Sequence, residues 1–581
     1  MRQWMVAAKK ADFYVIAEKF HVDPVVARII RNREVIGEKN IRIYLGGNLS
    51  DLSDPHQMKD MDRLVEILAQ KIRKQVHIRI IGDYDVDGVT SSHLFLTALR
   101  RVGAKVDVVI PHRIQDGYGL SLHLLQQAKE DGVDTILTCD NGIAAIDEIA
   151  WAKAQKMTVL VTDHHAVPFE EHEGRRTEKK SLADAVVNPH QQDCGYPYKE
   201  LCGAGVAWNV IRVLYENYDM DKREAEDLLD FVAMATVCDV MSLTGENRIL
   251  VKEGLKRIRH TKNIGLQALM QACNVQPENI SAYHFGYVLG PCVNATGRLD
   301  TARHALRLFE TGQETEAEEI ARDLVDLNQE RKELTLQGVE MAKKLCEEGG
   351  YENDPVLVLF LPDVHESIAG LIAGRIREMY NRPVFVLTRG EEGVKGSGRS
   401  TENYSMYENM CGCAELFTKF GGHPMAAGLS LPEENVEKFR RKINENCPLT
   451  VEEVCPDIHI DMAMPVGYAS TELVHQFALL EPFGKDNPSP LFADRNLSIS
   501  RMWVIGKNRN VLRMSVLSEY GQPVPVIFFG DVETLFAYFT EKFGQEEVEN
   551  ALHGRKNRIL FSMVYTAKID FYLSLIHISE P

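Results

Sequence analysis

Residues 76–190 repeat one pattern: a short apolar run ends in small or polar residues, and an amphipathic stretch follows. The runs fall at 76–81, 106–110, 135–138 and 158–162, with 185–187 a weaker fifth. Helical candidates lie between them at 91–101, 121–129 and 144–155. Apolar strands alternating with helices predict a parallel sheet covered on both faces. Residues 200–310 read as mostly helical, with 228–238 strongly apolar. From 314 to 346 there is no proline, and Ile320, Leu324, Leu327, Leu334, Gly338, Met341 and Leu345 trace one helical stripe. A second α/β pattern follows Gly349-Gly350, with strands at 356–361 and 384–387 and a helix at 368–380. Residues 455–575 carry short β-type runs and few helical stretches, which predicts a small barrel.

These divisions give an α/β chain of four parts, with boundaries at 1–310, 311–349, 350–450 and 455–575. The parts are a parallel-sheet domain with an N-terminal extension, a connecting helix, a smaller α/β domain and a β-barrel. A length of 581 residues suits three or four domains, and 45% hydrophobic with 26% charged residues is ordinary globular composition. The net charge of −18 argues at first sight against a nucleic-acid binder. It does not decide the matter, because binding depends on where positive groups lie, and bound metals reverse the local sign of a carboxylate cluster. The eleven cysteines lack metal or disulfide spacing; the closest pair is Cys411 and Cys413. Residues 1–20 are broken by charges, and no apolar run is long enough to span a bilayer, so a cytoplasmic protein without a membrane partner is expected. Arg495, Arg501, Lys507, Arg509 and Arg513 surround Trp503 without an acid among them, as on a surface that binds single strands or on an ordinary solvated sheet.

The strongest chemical signal lies at the ends of successive strands. The first strand runs into Gly82-Asp83-Tyr84-Asp85-Val86-Asp87-Gly88, the third into Asp140-Asn141-Gly142, and the fourth into Asp163-His164-His165. In an open parallel sheet, ligands bind beyond the carboxyl ends of the strands. Asp239 ends an apolar helix and could complete the cluster. Singly, each motif has a plain structural reading: Asp-Asn-Gly is a common turn, and Asp-x-Asp-x-Asp-Gly lacks the later glutamate of a calcium loop. Together, so many carboxylates need cations. Carboxylate oxygens mixed with imidazole suit two divalent ions, Mn²⁺ or Mg²⁺. Such a pair about 3.5–4 Å apart activates water and neutralises charge on a phosphoryl group.

The motif set resembles the DHH phosphoesterases, and the wider chain resembles the RecJ-type exonucleases among them. The wider likeness rests on Ile110-Pro111-His112-Arg113, Leu201-Cys202-Gly203-Ala204-Gly205-Val206, Glu246-Asn247-Arg248 and Asn294-Ala295-Thr296-Gly297-Arg298. Gly396-Ser397-Gly398-Arg399-Ser400 and Gly421-Gly422-His423-Pro424-Met425-Ala426-Ala427-Gly428 resemble the DHH-associated domain. Pro482-Phe483-Gly484 and Asn487-Pro488 resemble an oligonucleotide-binding barrel. The resemblance implies that Asp83, Asp85, Asp87, Asp140, His164 and Asp239 hold metal, with Asp140 bridging. His165 would contact the scissile phosphate, Asp163 would orient the histidines, and His423 would act at the scissile side. Arg113, Tyr118, Asn294, Arg298, Ser397, Arg399, Gly421 and Gly422 would contact the strand and its 5′ phosphate.

The implied activity is 5′-to-3′ hydrolysis of single-stranded DNA to mononucleotides in repair and recombination, with a helicase or a single-strand-binding protein as further partner. A phosphodiesterase for short oligonucleotides or cyclic dinucleotides shares the metal motifs but needs no barrel, and a non-catalytic relative would have lost them. The chain departs from the pattern at Ile81, where many relatives have a histidine ligand, and at Cys292, where arginine is common. It departs again at 571–581, a tail expected to be truncated or foreign and to leave a barrel edge unpaired.

Overall fold

A computed structural model describes residues 4–113, 116, 119–172, 175–390, 393–454, 457–506, 510–570 and 575–579. The first sheet is built from five parallel strands: β1 (Ile78–Ile81), β2 (Val106–Val109), β3 (Thr135–Cys139), β4 (Thr158–Thr162) and β5 (Ala185–Val187). Their spatial order is β2-β1-β3-β4-β5, so the three strands that end in acidic motifs are immediate neighbours. β1 and β3 are buried along their whole length, as expected for strands covered on both faces. Helix α1 (Val86–Arg101) starts inside the first acidic motif, and the Asp85 carboxylate caps it by accepting the Gly88 N–H at 3.0 Å. Helices α2 (Gly203–Asn217) and α3 (Leu229–Cys238) pack on α1 and are buried on nearly every side.

Helix α4 (Gly290–Leu299) leads toward α5 (Glu314–Glu348), a single helix of 35 residues. Its N-terminal half buries Ala317, Ile320, Ala321 and Leu324, and its C-terminal half buries Val339, Ala342 and Cys346. The buried stripe passes through Thr335, Gly338 and Ala342, which leaves the expected Met341 41% exposed, one position off the stripe. Gly338 is required by close packing, because a Cβ there would lie 2.3 Å from Ile372 Cδ1.

The second sheet mixes directions. β6 (Leu357–Phe360) pairs parallel with β7 (Val384–Gly390), and β8 (Gly393–Arg399), β9 (Lys419–His423) and β10 (Ala426–Leu431) continue it antiparallel in the order β9-β10-β8-β7-β6. One face carries Leu357, Leu359, Val384 and Val386 under helix α6 (Ala369–Tyr380) and α5. The opposite face carries Phe385, Leu387, Val394, Leu429 and Leu431 against Phe439 and Ile443. The two glycine-rich segments lie mostly in strands, and the turn between β9 and β10 falls at Pro424-Met425.

The expected span 1–310 is not one body. Gln3–Asp51 and Ser242–Ile249 form a separate compact unit with Asp457–Pro581. Within that unit Trp4–Val6 pairs parallel with Ile458–Ile460, and Arg33 forks onto the Asp461 carboxylate at 2.7 and 3.0 Å. Arg248 is buried against the Tyr44 ring and donates to the carbonyls of Tyr44, Leu479 and Leu480 at 2.8–2.9 Å. A shared core of Val26, Ile29, Ile30 and Tyr44 with Leu473, Leu480 and Phe492 joins these distant segments, and charge and hydrogen bonding add to it. The barrel strands are β11 (Phe492–Ile505), β12 (Val511–Leu517), β13 (Pro523–Phe529), β14 (Leu560–Asp570) and β15 (Leu575–Ser579). β11 pairs with β12 and β14, while β15 pairs with β13 and β14, so each of the five has a partner on both sides. The open edge expected at the tail is thus covered by β15. Two helices absent from the sequence reading, Val532–Phe543 and Gln545–Leu552, sit in the barrel. Among the described residues no helix is long and apolar enough to cross a membrane, and the ten described cysteines are free thiols.

His93 on α1 is buried between Phe231 and Phe309, with centroids at 4.4 and 5.9 Å. Burial, aided by the charge of Arg100, pushes its imidazole down to about 3. Between that value and the ordinary 6.5, the unfolded chain binds a proton that the folded chain refuses. Stability is therefore full above pH 6.5 and falls as pH drops toward 3. Urea unfolding should lose about 2 kcal/mol more between pH 7 and pH 5 in the wild type than in His93→Leu. Equal losses in the two proteins would contradict this placement of His93.

Candidate metal centre and anion-binding groove

Three neighbouring strands end at one place. Asp83, Asp87, Asp140 and Asp163 are each at most 2% exposed, and His164 is 8% exposed. His164 Nε2 lies 3.1 Å from Asp140 Oδ1, 3.6 Å from Asp239 Oδ2 and 3.7 Å from Asp87 Oδ2. Three sets bring their ligand atoms within 4.8 Å of one another: Asp83, Asp85, Asp140; Asp87, His164, Asp239; and Asp140, His164, His165. Asp140 belongs to two of them. Its backbone is left-handed at φ 60°, which turns its carboxylate away from the line of β3.

The local sequence builds this geometry. Asp87 Oδ2 and Oδ1 accept the N–H groups of Gly203 and Ala204 at 2.6 and 2.7 Å, at the N-terminus of α2, where the helix favours negative charge. Residue 203 must be glycine, because a Cβ would lie 2.6 Å from Asp140 Cβ and 3.0 Å from its Cα. Gly88 is equally constrained, with Asp83 backbone atoms at 2.4 Å from a would-be Cβ. Asp163 Oδ1 accepts the N–H groups of His164 and His165 and meets His165 Nδ1 at 2.8 Å, while Oδ2 accepts Ile143 N–H at 2.9 Å. It thereby fixes both histidines.

Charge at the cluster is out of balance. Burial and then the charges of neighbouring carboxylates push Asp83 and Asp140 well above the usual carboxylate range, and Asp85 is raised by burial and Asp87. Burial lowers His164. Burial opposes a charge on His165, yet the Asp163 hydrogen bond and the charges of Asp163, Asp239 and Asp87 push it up to about 9. Asp83 Oδ1 and His164 Nε2 are buried without a hydrogen-bond partner among the described residues. Hard oxygen donors, one imidazole and unsatisfied buried lone pairs fit divalent cations of the Mn²⁺ or Mg²⁺ type.

Beside the carboxylates lies the opposite imbalance. Arg113 stacks over the Tyr84 ring at 4.9 Å, next to Asp83 and Asp85 in the chain. Burial, followed by the charges of Arg113, Arg331 and Arg399, lowers Arg298 to about 10, and burial with Arg377 and Arg113 lowers Arg399. Among the described residues no carboxylate pairs with Arg113, Arg298 or Arg399. Arg298 Nη1 instead donates to the Ser367 carbonyl at 2.6 Å, reaching from α4 to the second sheet domain. Half-buried guanidinium groups that repel one another make a place for an anion.

Family models match this chain as follows: the DHH family N-terminal domain over residues 77–236, the DHHA1 domain over 353–447, and the RecJ OB domain over 460–574. The single-stranded-DNA-specific exonuclease RecJ of Haemophilus influenzae is 34% identical over 518 residues, 86% of this chain and 88% of that protein. The chain belongs to the RecJ family. The Bacillus subtilis RecJ is 33% identical over 511 residues; these make up 87% of this chain and 63% of the longer relative. A RecJ crystal structure from Thermus thermophilus in complex with Mn²⁺ shares the fold, with a TM-score of 0.80 over 100% of this chain and 78% of that one, at 24% identity. A structure of exonuclease RecJ bound to manganese is 32% identical with a TM-score of 0.57, covering 67% of this chain and 94% of that one.

In this RecJ-family chain the six metal-ligand candidates converge, with Asp163 and His165 beside them. Ile81, at the position of the missing histidine, is buried as the last residue of β1, and Asp83 lies in one set with Asp85 and Asp140. Asn294 Oδ1 accepts the Val86 N–H at 3.2 Å, so it braces the acidic loop. Cys292 is 2% exposed beneath α5, with Asn328 Nδ2 at 3.3 Å from its sulfur, so that position faces the core. His423 stands exposed at the end of β9 and makes no hydrogen bond or ion pair with the acidic cluster among the described residues. Gly421 faces open space, whereas Gly422 (φ 152°) turns to the other face, where a Cβ would lie 2.6 Å from Ala427 Cα. Tyr118, Lys507 and Arg509 lie outside the described residues. Sequence reasoning missed the Gly203 and Ala204 amides that hold Asp87. The only signal was a Gly-Ala-Gly run opening an apolar helix.

Two substitutions test the centre. Gly203→Ala should leave the protein folded but cut turnover about 100-fold, because the methyl displaces Asp140. Asp140→Ala should leave less than about a tenth of wild-type turnover while single-strand binding survives. Steady-state digestion, thermal melts and fluorescence-anisotropy binding read all three quantities.

Proposed function

We propose that this chain hydrolyses single-stranded DNA from the 5′ end, one nucleotide at a time, with two divalent cations held by Asp83, Asp85, Asp87, Asp140, His164 and Asp239. The observation that carries the reading is the juxtaposition in one unit of carboxylates short of positive charge and guanidinium groups short of negative charge. A phosphodiester whose 5′ phosphate is anchored satisfies both at once.

When bound, the two ions supply an activated water and neutralise the charge that develops on the phosphoryl oxygens. The remaining chemistry belongs to side chains. Arg113, Arg298 and Arg399, with the Ser397 hydroxyl, hold the terminal phosphate and so set the distance from the strand's end to the cut. His165, hydrogen-bonded to Asp163 at 2.8 Å, can donate to an oxygen of the scissile phosphate. Asp163 orients that ring. In the barrel, Trp503 on β11 lies under Arg501 and Arg513, at 5.6 and 5.4 Å, which suits capture of unpaired bases and backbone. The reading carries with it a cytoplasmic setting and a helicase or single-strand-binding protein as the source of unpaired strand.

Digestion of one oligonucleotide labelled at either end tests the polarity. The 5′ label should appear at once as mononucleotide, while the 3′ label stays on a shortening ladder. Chelation should stop both, and Mn²⁺ or Mg²⁺ should restore them. Early release of the 3′ label, internal cuts, or undiminished digestion after chelation would overturn the proposal.

A further inference from the structure

The strand register of the second sheet sorts its open face into three rows. Crossing β7, β8, β10 and β9 in turn, the first row is Val384, Arg399, Ala426, His423 and the second is Val386, Ser397, Gly428, Gly421. The third is Thr388, Lys395, Ser430, Lys419. Successive rows are two residues apart, about 6.8 Å along an antiparallel strand. Helix α6 covers the β6–β7 side of this face, and β8, β10 and β9 floor a cavity of about 410 Å³ that reaches Arg113 and Ser367. Gly421 and Gly428 leave the middle row bare beside Ser397.

The third row is unaccounted for by anything assigned so far. Lys395 and Lys419 both line the cavity. Lys395 Nζ is held at 2.8 Å from Glu366, the one carboxylate in the lining, while Lys419 has no ion pair among the described residues. With Arg113, three cations thus face one anion. Thr388 also lines the cavity, and its hydroxyl is fully buried without a hydrogen-bond partner among the described residues. A solvated lysine face explains neither the cavity nor an orphan hydroxyl, since a buried hydroxyl without a partner is costly.

We propose that Thr388, Lys395, Ser430 and Lys419 form a second phosphate subsite. It takes a phosphate lying beyond the terminal phosphate held by Ser397, Arg399 and Arg113, and so rests on the reading of that middle region given above. The ligand chemistry is an extended 5′ phosphate chain. It can come from a strand that ends in a 5′-triphosphate or from free inorganic diphosphate.

The full-length protein with Mn²⁺ would be tested on one oligonucleotide carrying a 5′-hydroxyl, a 5′-monophosphate or a 5′-triphosphate. The expected result is a KM for the triphosphate end at least about three-fold below that for the monophosphate end. In Lys419→Gln, an exposed position that puts little folding at risk, and in Thr388→Val, the ratio should fall to about one. A ratio of one in the wild type, or an unchanged ratio in both variants, overturns the subsite. Inorganic diphosphate added to the monophosphate reaction separates the two sources. Competition that weakens in Lys419→Gln assigns the subsite to the free anion as well, and a triphosphate preference without competition assigns it to strand ends alone. Failure of the wild type to digest any of the three ends would instead sink the exonuclease reading itself.

Discussion

Mutual repulsion of carboxylates is the constraint around which the catalytic unit is built. Five aspartates and a histidine occupy a space in which ordinary ionisation is unfavourable, as the raised Asp83, Asp85 and Asp140 testify. Such a cluster is held together by scaffolding that does not depend on the acids attracting one another. Parallel pairing of β1, β3 and β4 fixes three strand ends, and the α2 amides clamp Asp87 from behind. Glycines at 88 and 203 remove the side-chain atoms that would block closure. The fold thus stores an electrostatic demand that only cations meet.

The same logic runs with inverted sign across the groove. Arg113, Arg298 and Arg399 are half-buried without carboxylate partners among the described residues, and the charge of Arg113 lowers the proton affinity of the other two. Neither cluster compensates the other directly. In the proposed function a phosphodiester with a charged end would bridge them, and specificity for an end over an internal bond would follow from that separation.

Much of this was legible before any coordinates. The first sheet could be read because its strands are uninterrupted apolar runs, and Asp85, Asp140 and His164 could be placed because each follows such a run directly. The attachment of the N-terminal helices and Arg248 to the barrel could not: the apolar stripe at Val25, Val26, Ile29 and Ile30 does not name its partner, and the bonds of Arg248 join residues more than 200 positions apart. The glycine-rich strands β8 and β9 were not read as strands, since glycine has little strand preference; their pairing is set by neighbours β7 and β10. Thr388 and Lys419 carry no motif at all. Only register shows that they share a row.

Arg298 has a double duty. It anchors on the Ser367 carbonyl across from α4, and it belongs to the guanidinium trio beside the groove. In the proposed function, the residue that latches the two sheet domains together is also one of those that would grip the strand's end. On that reading unlatching and letting go would be a single event: prying the domains apart would eject the nucleic acid, and a gripped strand would keep the jaws shut.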